Sequence, residues 1–210
     1  MTDLFNIENW KAIVTGGTRG LGYGMAEGLL ESGAEVVIFG TSDKVEQVAA
    51  DFCGKGYHCH GLKVNLANAE ERETGFHQAV ELLGGLDIIV NAAGIQRRHP
   101  CQDFPKTDWD EVIEVNLTAP FVLSQLAAKE FLKKERPYGK IINIASMLTF
   151  FGGQTVPAYA AAKGGVAQFS KGMCNELAGQ GININCIAPG YMDTEMNTAL
   201  TDPSNPRFQE

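Results

Sequence analysis

Six short apolar runs recur along this chain with stretches of helical spacing between them, and no other feature narrows the possible folds so far. The runs are KAIVTG, EVVIFG, CHGLKVN, LDIIVN, KIINIAS and ININCIAP. Several lack the polar alternation of a half-exposed strand, as strands buried on both faces do. Helical periodicity fills residues 21–32, 44–53, 69–83, 107–134 and 157–179. Such alternation predicts an α/β fold, a doubly wound parallel sheet with right-handed crossovers and helices on both faces. With 210 residues, 44% of them hydrophobic, the chain suffices for one sizeable core, and residues 1–210 read as a single domain. The tail TDPSNPRFQE, polar and carrying two prolines, reads as a loop or a frayed end.

Charge and cysteine usage exclude several classes of partner. Lys and Arg number 17 against 25 Asp and Glu, and the net charge of −8 disfavours nucleic acid and anionic membrane surfaces. The chain opens without a basic-then-apolar leader, and no apolar run nears the ~18 residues of a membrane span. A soluble, cytoplasmic protein is expected. Five cysteines, scattered and without Cys-x-x-Cys, fit a reducing compartment. Cys59 lies between His58 and His60, but no second ligand cluster accompanies it and no metal is expected.

The chemistry begins where the first strand ends. Thr15-Gly16-Gly17-Thr18-Arg19-Gly20-Leu21-Gly22 follows that strand directly and opens the first helix. Ligands of doubly wound sheets lie at the carboxyl ends of the strands, where a helix start offers unpaired N–H groups to a pyrophosphate. Glycines there let the backbone approach phosphates that a side chain would block. The spacing Gly16-x-x-x-Gly20-x-Gly22 departs from G-x-G-x-x-G, and a glycine-rich turn alone is equally an ordinary tight turn. Its position after the first strand favours the dinucleotide reading. Asn91-Ala92-Ala93-Gly94 ends the fourth strand, where small residues either let the chain run close to such a ligand or simply turn.

Tyr159 and Lys163 stand four apart in PAYAAAKGGVAQFSKGM and share one helical face. A phenol titrates near ~10, and bringing it to about 7 takes roughly 4 kcal/mol of preference for the phenolate. An ammonium about 4 Å away, at an effective dielectric near 20, supplies a contribution of that size. Ser146 ends the strand-like KIINIAS, where its hydroxyl can hold a substrate oxygen beside the phenol. Tyr-x-x-x-Lys alone is as readily a packed tyrosine with a solvated lysine, so the motifs before it decide the reading.

Taken in order, Thr15–Gly22, Asn91–Gly94, Asn116, Ser146, Tyr159, Lys163 and Pro189-Gly190 resemble the short-chain dehydrogenase/reductases over nearly the whole chain. The separation of Ser146 from Tyr159 is the usual one of that family. The resemblance implies a Rossmann-like, nicotinamide-dependent oxidoreductase whose dinucleotide-binding and catalytic parts share residues 1–210. It makes Tyr159 the catalytic acid/base, has Ser146 polarise the carbonyl, and has Lys163 tune the phenol and hold the nicotinamide ribose. Asn116, within EVIEVNLTAP, would position a water in a proton relay. Cofactor contacts are implied at Gly16, Thr18, Arg19, Gly20, Leu21, Gly22, Thr41, Asn65 and Leu66. Further contacts are implied at Asn91, Ala92, Ala93, Gly94, Tyr159, Lys163, Pro189, Gly190, Met192 and Thr194. By residue type alone, Asn116 is equally an ordinary helix asparagine and Thr194 a helix cap in DTEM. Gly40, Thr41 and Ser42 stand where an acid often takes the ribose 2′-hydroxyl in NAD-specific members, and either they and Arg19 accommodate a 2′-phosphate or Arg19 is simply solvated. Residue chemistry therefore admits NADP, while the nearest subfamily often uses NAD, toward which the reading leans weakly.

Two adjacent arginines in IQRRHP, Arg97 and Arg98, either clamp a substrate carboxylate or belong to a solvated loop or subunit contact. Ser146, Met147, Gln154 and Tyr159 complete the expected substrate side. GIQRRHP, IINIASMLTFFGG and IAPGYM resemble segments of the 2-deoxy-D-gluconate 3-dehydrogenases, also described as 2-dehydro-3-deoxy-D-gluconate 5-dehydrogenases, with the gluconate 5-dehydrogenases close by. That resemblance implies reversible oxidoreduction of a secondary alcohol on a six-carbon sugar acid. The alternatives are a 3-oxoacyl-carrier-protein reductase or other carbonyl reductase, and a nicotinamide-binding regulatory protein that has lost catalysis. Family members run longer than this chain, so a sheet without the family's last strand is expected, with its sixth strand at an open edge. A homo-oligomer, dimer or tetramer, is expected through the helices around 107–134 and 157–179.

Overall fold

Rows of β-branched residues knit the strands into one sheet. Val37, Ile13, Ile89, Ile141 and Ile184 stand side by side in five adjacent strands and are all buried. The computed structural model describes residues 6–192. Its strands are β1 (Lys11–Thr15), β2 (Glu35–Gly40), β3 (Cys59–Lys63), β4 (Ile88–Asn91), β5 (Gly139–Ile144) and β6 (Ile182–Ile187). All pair in parallel in the order β3-β2-β1-β4-β5-β6. This order reverses between β1 and β4, which opens a crevice beyond their carboxyl ends. Among the described residues β6 forms one edge of the sheet.

Helices cover both faces. α1 (Gly20–Glu31) and α2 (Lys44–Gly54) bury Ala26, Leu30, Val45, Val48 and Phe52 against one face. On the other, α3 (Ala69–Leu83) and α5 (Ala119–Leu132) contribute Phe76, Leu83, Leu123 and Phe131. α6 (Pro157–Leu177) packs beside β5 and β6. Burial of such side chains contributes roughly 1.5–3 kcal/mol each, which makes the paired faces the main source of stability. Among the described residues no helix is long and apolar enough to cross a membrane.

The expected single helix over 107–134 is instead α4 (Lys106–Ile113), a π-turn (Glu114–Thr118) and α5. Pro120 has no N–H to give the carbonyl four residues back, that of Asn116. The Ala119 N–H reaches instead to the Glu114 carbonyl, five residues back, and the helix widens for one turn. Thr194 and the tail lie outside the described residues.

Candidate active site

A cavity of about 1010 Å³ opens at the carboxyl ends of the strands, bounded by the turn after β1, the loops after β2 to β6 and the start of α6. The turn after β1 is shaped by its glycines. Gly16 has φ +69° and a side chain there would start 2.8 Å from the Ala93 Cα. A Cβ on Gly22 would fall 2.2 Å from the Gly16 carbonyl oxygen, so only glycine lets α1 begin this close to β1. Arg19, the N-cap of α1, makes no side-chain cap, and no acid lies in the first turn. Those first N–H groups, at the positive end of the helix dipole, are set to receive an anion. This cradle fits the pyrophosphate of a dinucleotide.

At the other end of the cavity lie Ser146, Tyr159 and Lys163. Ser146 follows β5 and caps a single 3₁₀ turn (Met147–Thr149), its Oγ accepting the Leu148 N–H at 3.2 Å. Tyr159 and Lys163 sit one turn apart near the start of α6, and the phenol is hydrogen-bonded to Ser146. Lys163 is 4% exposed, with its Nζ donating to the Ile144 carbonyl at 2.6 Å and lying 5.6 Å from the Tyr159 ring centre. Burial pushes this ammonium down to about 8, opposed by Cys186 nearby. The phenol lowered by a neighbouring ammonium, expected from the four-residue spacing, is not what the structure holds. Burial raises Tyr159 above the ordinary phenol value, and the Ser146 hydrogen bond only opposes this. Lys163 turns toward a backbone carbonyl rather than the phenol.

Asn116 is fully buried in the π-turn and does not line the cavity. Its Oδ1 accepts the Ile95 N–H at 2.9 Å and its Nδ2 donates to the Ile95 carbonyl at 2.7 Å, which fixes the loop after β4. The side chain is thereby occupied, and its backbone carbonyl is the one Pro120 cannot serve. Asn91, read as a cofactor contact, is also absent from the lining. Its Nδ2 donates to Asn143 Oδ1 at 2.7 Å and Ser124 Oγ at 3.1 Å, inside a buried network that continues from Asn143 to Ser170. At the end of a strand buried on both faces its side chain faces the core, where it ties β4, β5, α5 and α6 together beneath the site.

The other expected cofactor positions within the described residues line the cavity: the glycine turn with Thr18, Arg19 and Leu21, then Thr41, Asn65, Leu66, Ala92, Ala93, Gly94, Pro189, Gly190 and Met192. Asn65 Oδ1 accepts the Ala67 N–H at 3.1 Å and so closes its own loop. On the substrate side Arg97, Arg98, Met147 and Gln154 line it too. Arg97 pairs with Glu111 of α4 at 2.9 Å and is held in place by it. Arg19, Arg97, Arg98 and Lys163 against Glu111 alone give the described lining a positive balance within a chain of net charge −8. Such a cleft concentrates anionic ligands. His58, Cys59 and His60 gather no metal set: burial pushes the Cys59 thiol up to about 12, and no group of three ligating side chains occurs among the described residues.

Two features escaped the sequence. Thr149 Oγ1 accepts the Ser146 N–H at 3.2 Å and donates to the Lys163 carbonyl at 3.1 Å, linking the backbones of both residues. A threonine three residues after a serine N-cap was the available signal. The loops after β4 and β5 are also joined, the His99 N–H donating to the carbonyl of Thr155 at 3.0 Å. Thr155 has φ +62°, a conformation costly for a β-branched residue and typical of strained functional loops.

Comparison with known proteins agrees with this geometry. A family profile described as short chain dehydrogenase matches residues 11–205. The chain is 42% identical over 199 residues to a 2-dehydro-3-deoxy-D-gluconate 5-dehydrogenase of Escherichia coli (strain K12), covering 93% of this chain and 77% of that one. It is 38% identical over 203 residues to a 5-keto-D-gluconate 5-reductase of the same organism, covering 96% and 79%. A gluconate 5-dehydrogenase from Burkholderia cenocepacia J2315, solved with NADP and tartrate, superposes with a TM-score of 0.89 at 37% identity, over 95% of this chain and 78% of that one.

Proposed function

Because this chain belongs to the short-chain dehydrogenase family, we propose that it interconverts a secondary alcohol and a ketone on a six-carbon sugar acid with NADP(H). The observation that carries this reading is the meeting of Ser146, Tyr159 and Lys163 with an uncapped glycine turn in one positively lined cavity. The nicotinamide, when bound, supplies or accepts the hydride. Tyr159 gives its phenolic proton to the carbonyl oxygen in reduction and takes it back in oxidation. Ser146, already bonded to that phenol, holds the same oxygen and stabilises its developing charge. Lys163, anchored by the Ile144 carbonyl at the wall of the cavity, holds the nicotinamide ribose. Asn116 offers its backbone carbonyl to a water that carries the proton onward.

The weak lean toward NAD gives way to NADP. An acid in place of Gly40 has no room, because a Cβ there would lie 2.7 Å from Thr18 Cγ2 and 3.1 Å from Val45 Cβ. Asp43, the next acid along, is turned to Lys63 at 2.7 Å. Arg19 and Thr41 line this end of the cavity, and the B. cenocepacia relative holds NADP. The sugar-acid class follows the two E. coli relatives and the arginine lining, with Arg97 and Arg98 meeting the carboxylate and Gln154 the hydroxyls. α5 and α6, where Phe121 and Phe169 pack edge to face with Phe121 40% exposed, form the subunit contact of a cytoplasmic homo-oligomer.

The test is a panel of NADPH and NADH against 5-keto-D-gluconate, 2-dehydro-3-deoxy-D-gluconate and a 3-oxoacyl thioester, followed by loss of reduced nicotinamide. Consumption of NADPH with a sugar acid, faster than NADH, is expected. Reduction of the thioester alone would move the assignment to a carbonyl reductase.

A further inference from the structure

We propose that Arg72 is a positioning residue for the reaction, holding the π-turn that presents Asn116 through the carboxylate of Glu114. The proposal rests on the role given above to Asn116. Arg72 lies in the first turn of α3 and is 3% exposed, although a guanidinium is costly to bury. Its Nη1 donates at 2.7 Å to the Leu66 carbonyl and at 2.7 Å to Glu114 Oε1. Its Nε is buried without a partner, which adds to the cost. Leu66 belongs to the loop after β3 that lines the cavity, and Glu114 opens the π-turn two residues before Asn116. One nitrogen thus clips the turn to the wall of the cavity.

Packing alone does not account for an arginine here. A buried ion pair is commonly matched or bettered in stability by apolar side chains of similar volume. What the arginine adds is direction. Glu114 is fixed twice, its backbone carbonyl accepting the Ala119 N–H that closes the π-turn and its side chain accepting from Arg72. Asn116 is fixed from the other side by its two hydrogen bonds to Ile95. Between these anchors lies the carbonyl that Pro120 leaves without its helical donor, so its aim depends on both.

The experiment compares Arg72→Met with wild type, Asn116→Ala and the double variant. Arg72→Met should melt close to wild type, because methionine fills the space and Glu114, whose side chain is 34% exposed, can hydrate. kcat should fall on the order of tenfold to a hundredfold, more than NADPH affinity does. The loss should be non-additive, with Arg72→Met costing little further in the Asn116→Ala background. Independently of turnover, amide hydrogen exchange over 114–118 should be faster in Arg72→Met. An unchanged kcat, a loss that adds fully to that of Asn116→Ala, or unchanged exchange would each overturn the proposal. If Arg72→Met fails to fold, Arg72→Met/Glu114→Gln removes both charges and is held to the same outcomes. A wild type inactive on every sugar acid counts against the proposed function, while the exchange rates still decide for or against the clip.

Discussion

Replacing Lys163 by methionine isolates the energetic cost of the buried ammonium. Burial pushes Lys163 down to about 8, from 10.5 in an unfolded chain. Between those values the unfolded state binds more protons than the folded one, so stability rises with pH across that window. Below it the native state carries the full penalty of a buried charge, and above it none. Each pH unit of difference corresponds to about 1.4 kcal/mol, so the whole window is worth about 3 kcal/mol. Lys163→Met removes this dependence and also the hydrogen bond to Ile144, a loss of about 1 kcal/mol that does not vary with pH. Urea denaturation of both proteins from pH 7 to 10.5, at equal m-values, gives the difference directly, and subtraction cancels other titrating groups. The stability of wild type relative to the variant should improve by about 3 kcal/mol over the range. A difference constant to within about 0.5 kcal/mol would show that the ammonium is not buried as described.

Other outcomes follow from single contacts. Gly22→Ala should abolish NADPH binding in fluorescence titration, since its Cβ would meet the Gly16 carbonyl at 2.2 Å; retained affinity would contradict the cradle. Thr149→Val should lower kcat about tenfold with Thr149→Ser close to wild type, because only the hydroxyl links Ser146 to Lys163; equal kinetics in both would dismiss the link. Gly40→Asp should lose NADPH without gaining NAD turnover, and an efficient NAD enzyme would show that room exists beside Thr18. Alcohol oxidation should speed up toward alkaline pH, because burial holds Tyr159 above the ordinary phenol value and oxidation begins from its deprotonated form; a rate falling above neutrality would contradict that assignment.

Much of this was legible in residue order, because burial on both faces leaves a strand few polar positions. All six apolar runs are strands, and α3 spans the residues that periodicity assigned to it. The glycine turn was legible because its glycines are imposed by close contacts. Ser146, Tyr159 and Lys163 were legible from spacing, but the electrostatics were not. Four-residue spacing puts Lys163 beside Tyr159 without showing that the Ile144 carbonyl, at the end of β5, captures its ammonium. The break at Asn116 was written in Pro120, yet apolar periodicity on both sides masked it. Arg72–Glu114, Arg97–Glu111 and Asn91–Asn143 each join residues far apart in the chain, and residue type alone assigns no such partner.

The most direct measurement concerns the phenolic oxygen itself. Tyr159→Phe should bind NADPH as wild type does, melt at a similar temperature and lose nearly all reduction of the sugar-acid ketone that wild type turns over. Turnover near the wild-type rate in that variant would remove Tyr159 from the proton transfer, and with it the chemistry assigned to this cavity.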